Sequence, residues 1–65
     1  MEPKYTWAQK DGMRDFTIAT NGGVDPNDQR AELNYANQQG YTEISQFIEH
    51  KQGWNIAKNE SAKDW

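Results

Sequence analysis

The stretch from Leu33 to Gly53, LNYANQQGYTEISQFIEHKQG, constrains this chain more than any other. Leu33 and Ala36 lie three apart, and Ile44, Phe47 and Ile48 stand at i, i+3 and i+4. Each half therefore offers one apolar stripe at helical spacing and leaves its remaining faces polar. Gly40 divides the halves, placed where a glycine after a helix end supplies a positive φ at little cost. Thr42 and Glu43 open the second half with a hydroxyl and an acid near the positive end of a helix dipole. The pattern predicts a helical hairpin whose two stripes need a third surface to pack on.

Earlier in the chain, Pro3 suits the approach to a first helix over Tyr5 to Asp11, with Trp7 and Ala8 inward and Gly12 as its stop. A second helix over Met13 to Asn21 follows from Met13, Phe16 and Ala19, with Asp11 in its capping region. The β-branched Thr17, Ile18 and Thr20 leave a short strand at Phe16 to Ile18 as a competitor. Asn21 to Asp28 holds two glycines, two aspartates, two asparagines and a proline, which is turn chemistry. Gly53 is expected to end the last full helix. The tail Trp54 to Trp65 then carries Asn59 and Ser61 as caps for a helix that barely begins.

With 65 residues, 34% of them apolar, one domain is the limit, and such a chain buries only about 60% of the surface it exposes when unfolded. The absence of cysteine removes disulfides, Cys-based zinc sites and Cys nucleophiles. No run approaches the roughly 20 apolar residues of a membrane span, and MEPKYTWAQ lacks the apolar centre of a signal peptide. A cytoplasmic protein is expected. Ten acids against seven scattered bases, net charge −3, do not form the basic stripe that nucleic-acid binding needs.

Catalytic and metal readings find little to stand on. His50 is the single histidine, beside Glu49 and near Glu43, but no nucleophile or oxyanion donor accompanies it, so it reads as a solvated histidine near a helix end. Asp25, Asn27 and Asp28 alternate as in part of a calcium loop but lack its glycine and its closing glutamate, which leaves side-chain turn capping. Gly22-Gly23 has no following lysine and hydroxyl residue to make a phosphate loop. No catalytic residue, metal or cofactor is assigned.

The two halves also share a frame. Trp7-Ala8-Gln9-Lys10-Asp11-Gly12 and Tyr35-Ala36-Asn37-Gln38-Gln39-Gly40 each run aromatic, alanine, three polar residues, glycine, and Phe16 or Ile44 stands four residues past each glycine. The offset of 28 residues is of the order seen in stacked repeats. In this frame Leu33 to Ile44 resembles an ankyrin repeat, and Gly23-Val24-Asp25-Pro26-Asn27 is similar to the hairpins of some members of that family. Ala31-Glu32 stands where the family has threonine-proline, and Thr20-Asn21 and Ile48-Glu49 stand in place of its leucine pair.

The resemblance implies an all-α fold of stacked helix-turn-helix repeats, with units at about 5–27 and 31–53 and a tail at 54–65. An unrelated small α or α+β fold is the alternative. The resemblance further implies a non-catalytic protein–protein interaction module. Its binding positions would be Gln9, Lys10 and Asp11, then Gln38 and Gln39 on the inner helices, Asp28, Gln29 and Arg30 at a hairpin tip, and Trp54 on the next hairpin. Trp7 is expected to pack on Phe16, whereas Trp54 and Trp65 either fold back over Phe47 and Ile48 or stay exposed for a partner. Two functional alternatives stand beside it: a small acidic inhibitor or decoy that occludes a basic site, and an engineered or model scaffold without a natural partner. Because stacks usually need about three units, either a thermal midpoint at the low end of mesophilic domains or self-association through the open end of the stack is expected.

Overall fold

The computed structural model describes residues 5–63, so Pro3 and Trp65 lie outside the described part. Those residues form three helices, α1 (Trp7–Asn21), α2 (Gln29–Gln38) and α3 (Ile44–Lys63), and no strand. The all-helical expectation holds. The competing strand at Phe16 to Ile18 is instead the middle of α1, where burial of Phe16 and Ala19 outweighs the modest helix penalty of Thr17, Ile18 and Thr20.

Local chemistry sets the helix ends. Thr6 caps α1 in a reciprocal pair: its hydroxyl accepts from the Gln9 N–H at 3.2 Å and the Gln9 side chain accepts from the Thr6 N–H at 3.0 Å. Asp28 caps α2 by accepting from the N–H groups of Arg30 and Ala31 at 3.0 and 3.3 Å. Asp25 holds the preceding turn through the Asn27 N–H at 2.9 Å, the capping role expected for this cluster. Both α1 and α2 finish in the same way. Gly23 and Gly40 take φ of 90°, and the next residue's N–H returns to a helix carbonyl, Val24 to Ala19 at 2.9 Å and Tyr41 to Ala36 at 3.1 Å. These two terminators stand 17 positions apart, so they do not belong to the 28-residue frame, in which Gly40 is matched by Gly12.

Two other glycines act differently from expectation. Gly12 does not stop a helix but lies inside α1, and Gly53 lies inside α3, which runs on through the supposed tail. The reason is space. A Cβ on Gly12 would fall 2.0 Å from the His50 carbonyl oxygen, and one on Gly53 would fall 1.8 Å from the Gln9 carbonyl oxygen. The backbones of α1 and α3 touch at this crossing, and tertiary contact offsets the roughly 1 kcal/mol that a mid-helix glycine costs. Three helices result where two helix-turn-helix units would need four.

The core follows from that crossing. Ala8, Phe16, Ala19, Ala36 and Trp54 are buried, with Val24, Tyr35 and Ala57 packed against the Phe16–Trp54 centre. Trp54 meets Phe16 edge to face, centroids 5.5 Å apart at 86°, and its indole N–H donates to the Pro26 carbonyl at 2.9 Å. Trp54 thus folds inward, onto Phe16 where Trp7 was expected. Trp7 is 77% exposed, with the Lys10 ammonium 4.6 Å from its ring centroid. The stripe expected to seek the core also turns outward, with Ile44 78% and Ile48 51% exposed. On α3 the inward residues are His50, Gly53, Trp54 and Ala57, a different face of the same helix.

Substituting Gly53→Ala should therefore destabilise the protein by about 1–3 kcal/mol or more, opposite in sign to the gain expected for the same change on an exposed helix face. Urea unfolding followed by circular dichroism measures it, and a stabilised variant would show that α1 and α3 do not touch there.

Candidate functional site

Each helix brings one ionisable side chain to its inward face. Asp15 belongs to the α1 stripe of Ala8, Gly12 and Ala19, Glu32 lies one turn before Ala36 on α2, and His50 lies one turn before Trp54 on α3. All three are buried, and His50 has no exposed surface. The imidazole Nδ1 is 2.6 Å from Glu32 Oε2 and Nε2 is 2.8 Å from Asp15 Oδ2. At these distances each ring nitrogen is within hydrogen-bond reach of a carboxylate oxygen, so one imidazole bridges an acid on α1 and an acid on α2.

A polar shell extends the chain of contacts on the α1 side. Gln39 donates through Nε2 to Asp15 Oδ2, and its Oε1 accepts from Arg14 at 2.9 Å. Arg14 also lies 3.5 Å from Asp11 Oδ1 and 4.0 Å from Asp15 Oδ1. The Tyr41 hydroxyl donates to Asp11 Oδ2. Burial first, then this hydrogen bond and the negative charge of Asp11 and Asp15, push the Tyr41 phenol up to about 12, against a smaller opposing effect of Arg14. No buried side-chain polar atom among the described residues lacks a partner.

This arrangement corrects the view of His50 as a solvated helix-end group: α3 continues for more than three turns past it, and its ring is closed in from both sides. Both nitrogens are occupied and none of the ring reaches solvent, so it has no free lone pair to offer a substrate or a metal. A hint was present in the sequence, since Asp15 and Glu32 each sit at helical spacing from an inward alanine.

The open part of the molecule lies between α2 and α3. Leu33, 43% exposed, faces Ile44, Phe47 and Ile48 across a groove of about 390 Å³, and Gln29, Arg30 and Lys51 form its rim. Glu32 also borders the groove, but its carboxylate turns inward to His50. The accessible charges of the groove are thus the two cations.

The structure scatters the sequence-derived binding positions. Gln29 and Arg30 line this groove, and Gln38 is exposed in the last turn of α2. Asp11 and Gln39 are brought together, both bonded within the polar shell, while Gln9 is committed to its cap and to Gln52 at 2.8 Å. Asp28 is a cap, and Lys10 lies over Trp7. Trp54 is 3% exposed and so is an anchor of the core, not a surface residue, because the continuation of α3 carries it inward. Sequence reasoning missed the groove itself, since it assigned Ile44, Phe47 and Ile48 to the core.

Compared with known protein families, curated proteins and solved structures, the chain matches none. The ankyrin resemblance rests on sequence pattern alone.

Two outcomes follow. His50→Ala should cost about 3–5 kcal/mol, because it leaves two carboxylates shut in without their proton-sharing partner, and a near-neutral result in urea unfolding would show that they reach water. The second concerns Tyr41. In the unfolded chain a tyrosine loses its proton near 10, while the fold keeps the neutral phenol to about 12. Between those values the folded state binds more protons, so this contribution is complete below pH 10 and fades as pH rises toward 12. Thermal melts across that window should show the wild type losing stability relative to Tyr41→Phe, and parallel curves would contradict it.

Proposed function

We propose that the protein is a small non-catalytic interaction module of the cytoplasm, and that the α2–α3 groove is where it binds. The observation that carries this reading is the exposure of Leu33, Ile44 and Ile48 side by side on a chain whose mean hydropathy is −1.21. So polar a chain gains nothing in solubility from leaving three large aliphatic residues in one groove, and clustered exposed apolar surface marks interaction sites. No helix among the described residues is long and apolar enough to cross a membrane.

The ankyrin-like form of this proposal, in which stacked repeats bind through Gln9, Lys10, Asp11, Gln38 and Gln39, draws its support from the sequence frame. The groove reading instead uses Gln29 and Arg30 together with the aliphatic residues beside them. The acidic-decoy alternative is weakened because Asp11, Asp15 and Glu32 spend their charge on internal partners.

The test is affinity capture from a native cell extract with three baits: wild type, Ile48→Glu and Lys10→Ala. Ile48 is half exposed, so a glutamate there should leave the melt unchanged to within about 0.5 kcal/mol. A partner held by wild type and Lys10→Ala in moderate salt, and lost with Ile48→Glu, is the expected outcome. A partner that ignores Ile48→Glu, or that falls away with salt alone, would refute the groove as the binding surface.

A further inference from the structure

We propose that the groove's partner is a second copy of this chain, with the two α3 helices pairing antiparallel about a two-fold axis that passes between Phe47 and Ile48. This rests on the reading of the groove as an interaction surface and goes further by naming what fills it.

The argument is one of self-complementarity. Ile44, Ile48 and Lys51 lie at i, i+4 and i+7, so they share one face of α3, and all three line the groove. Ile44 and Lys51 are equidistant from the midpoint of Phe47 and Ile48, about 5 Å along the helix axis in each direction at 1.5 Å per residue. An antiparallel two-fold therefore sets Ile44 opposite the partner's Lys51 and Phe47 opposite the partner's Ile48. Each pairing then occurs twice, as an isologous contact requires.

Charge agrees with this register. Glu43 precedes Ile44 and is exposed, Lys51 is exposed two turns later, and among the described residues neither is in an ion pair. Lys51 thus stands at one end of the apolar strip, and Glu43 stands just beyond the other end, outside the groove lining, with Arg30 as the second cation on the α2 rim. Reversed end for end, the strip meets its own complement: the aliphatic stem of the partner's Lys51 covers Ile44, and its ammonium reaches Glu43. Parallel pairing would set like charges together at both ends.

The strip is two turns long with Leu33 beside it, well short of the roughly 1,200 Å² of total buried surface at which stable interfaces begin, so the dimer is weak and concentration-dependent. This accounts for exposed isoleucines on a protein that is otherwise so polar.

Sedimentation equilibrium of the full chain from about 10 µM to about 1 mM, at low salt, tests the proposal. The mass should rise from monomer toward dimer, and Ile48→Glu should weaken association by about tenfold or more. Glu43→Lys and Lys51→Glu should each weaken it, and the two together should restore it. A wild type that stays monomeric throughout, a dimer indifferent to Ile48→Glu, or a charge exchange that restores nothing would overturn the proposal. A monomeric wild type that still loses a captured protein on Ile48→Glu would sink the dimer and leave the groove's interaction role standing. A dimer and a capture that both ignore Ile48→Glu would sink both.

Discussion

The backbone contact between α1 and α3 at Gly12 and Gly53 sets the rest of the structure in place. With no Cβ on either side the helices approach until peptide groups touch, and this fixes both their separation and their register. At that distance the residues within a turn of the crossing fall into line: His50 beside Asp15, Trp54 against Phe16. A larger residue at either glycine would separate the helices and open both contacts together. The mid-helix glycines are thus a condition for the core and for the polar centre alike.

What closes around that crossing is an unusual interior for so small a protein. Among the described residues only five apolar side chains are buried, three of them alanine, so the hydrophobic drive is slight. A histidine shared between two carboxylates lies at the centre instead. Such buried polar groups add little net stability over apolar packing, because desolvation consumes most of the attraction. They do penalise every arrangement that leaves one of them without its partners. The Glu32–His50–Asp15 chain joins all three helices, so it selects one mutual arrangement where alanines and a single Trp–Phe contact would tolerate several. The principal extents of 32 × 31 × 14 Å describe the same situation. A slab this thin leaves each helix a broad solvent-facing side, and one of those sides carries Leu33, Ile44 and Ile48.

Much of the local structure was legible in the residues. The helical character of the chain, the helix terminator at Gly40, and the turn chemistry of Asp25 and Asp28 follow from rules that act over a few positions, although four short helices are read where three form. The errors share one cause. Gly12 and Gly53 read as stops because glycine is a poor helix former by itself, and nothing nearby in sequence reveals the opposing backbone that rewards it. With Gly53 read as an end, Trp54 falls into a tail and His50 onto a helix terminus, and the core role passes by default to Ile44, Phe47 and Ile48. The candidate site was therefore only partly visible: Gln29 and Arg30 were chosen, but the aliphatic residues beside them were assigned to the interior.

By itself, then, the sequence determined an all-helical chain with its caps and turns, because helix propensity, capping and glycine conformation act through near neighbours. Only tertiary structure decided which face of α3 turns inward, that an acid on α1 and an acid on α2 would share one histidine, and which aliphatic residues remain in water. Those choices depend on how closely two backbones approach across more than 40 positions of sequence, Gln9 to Gly53, and on the desolvation of charges that meet only when the helices have docked.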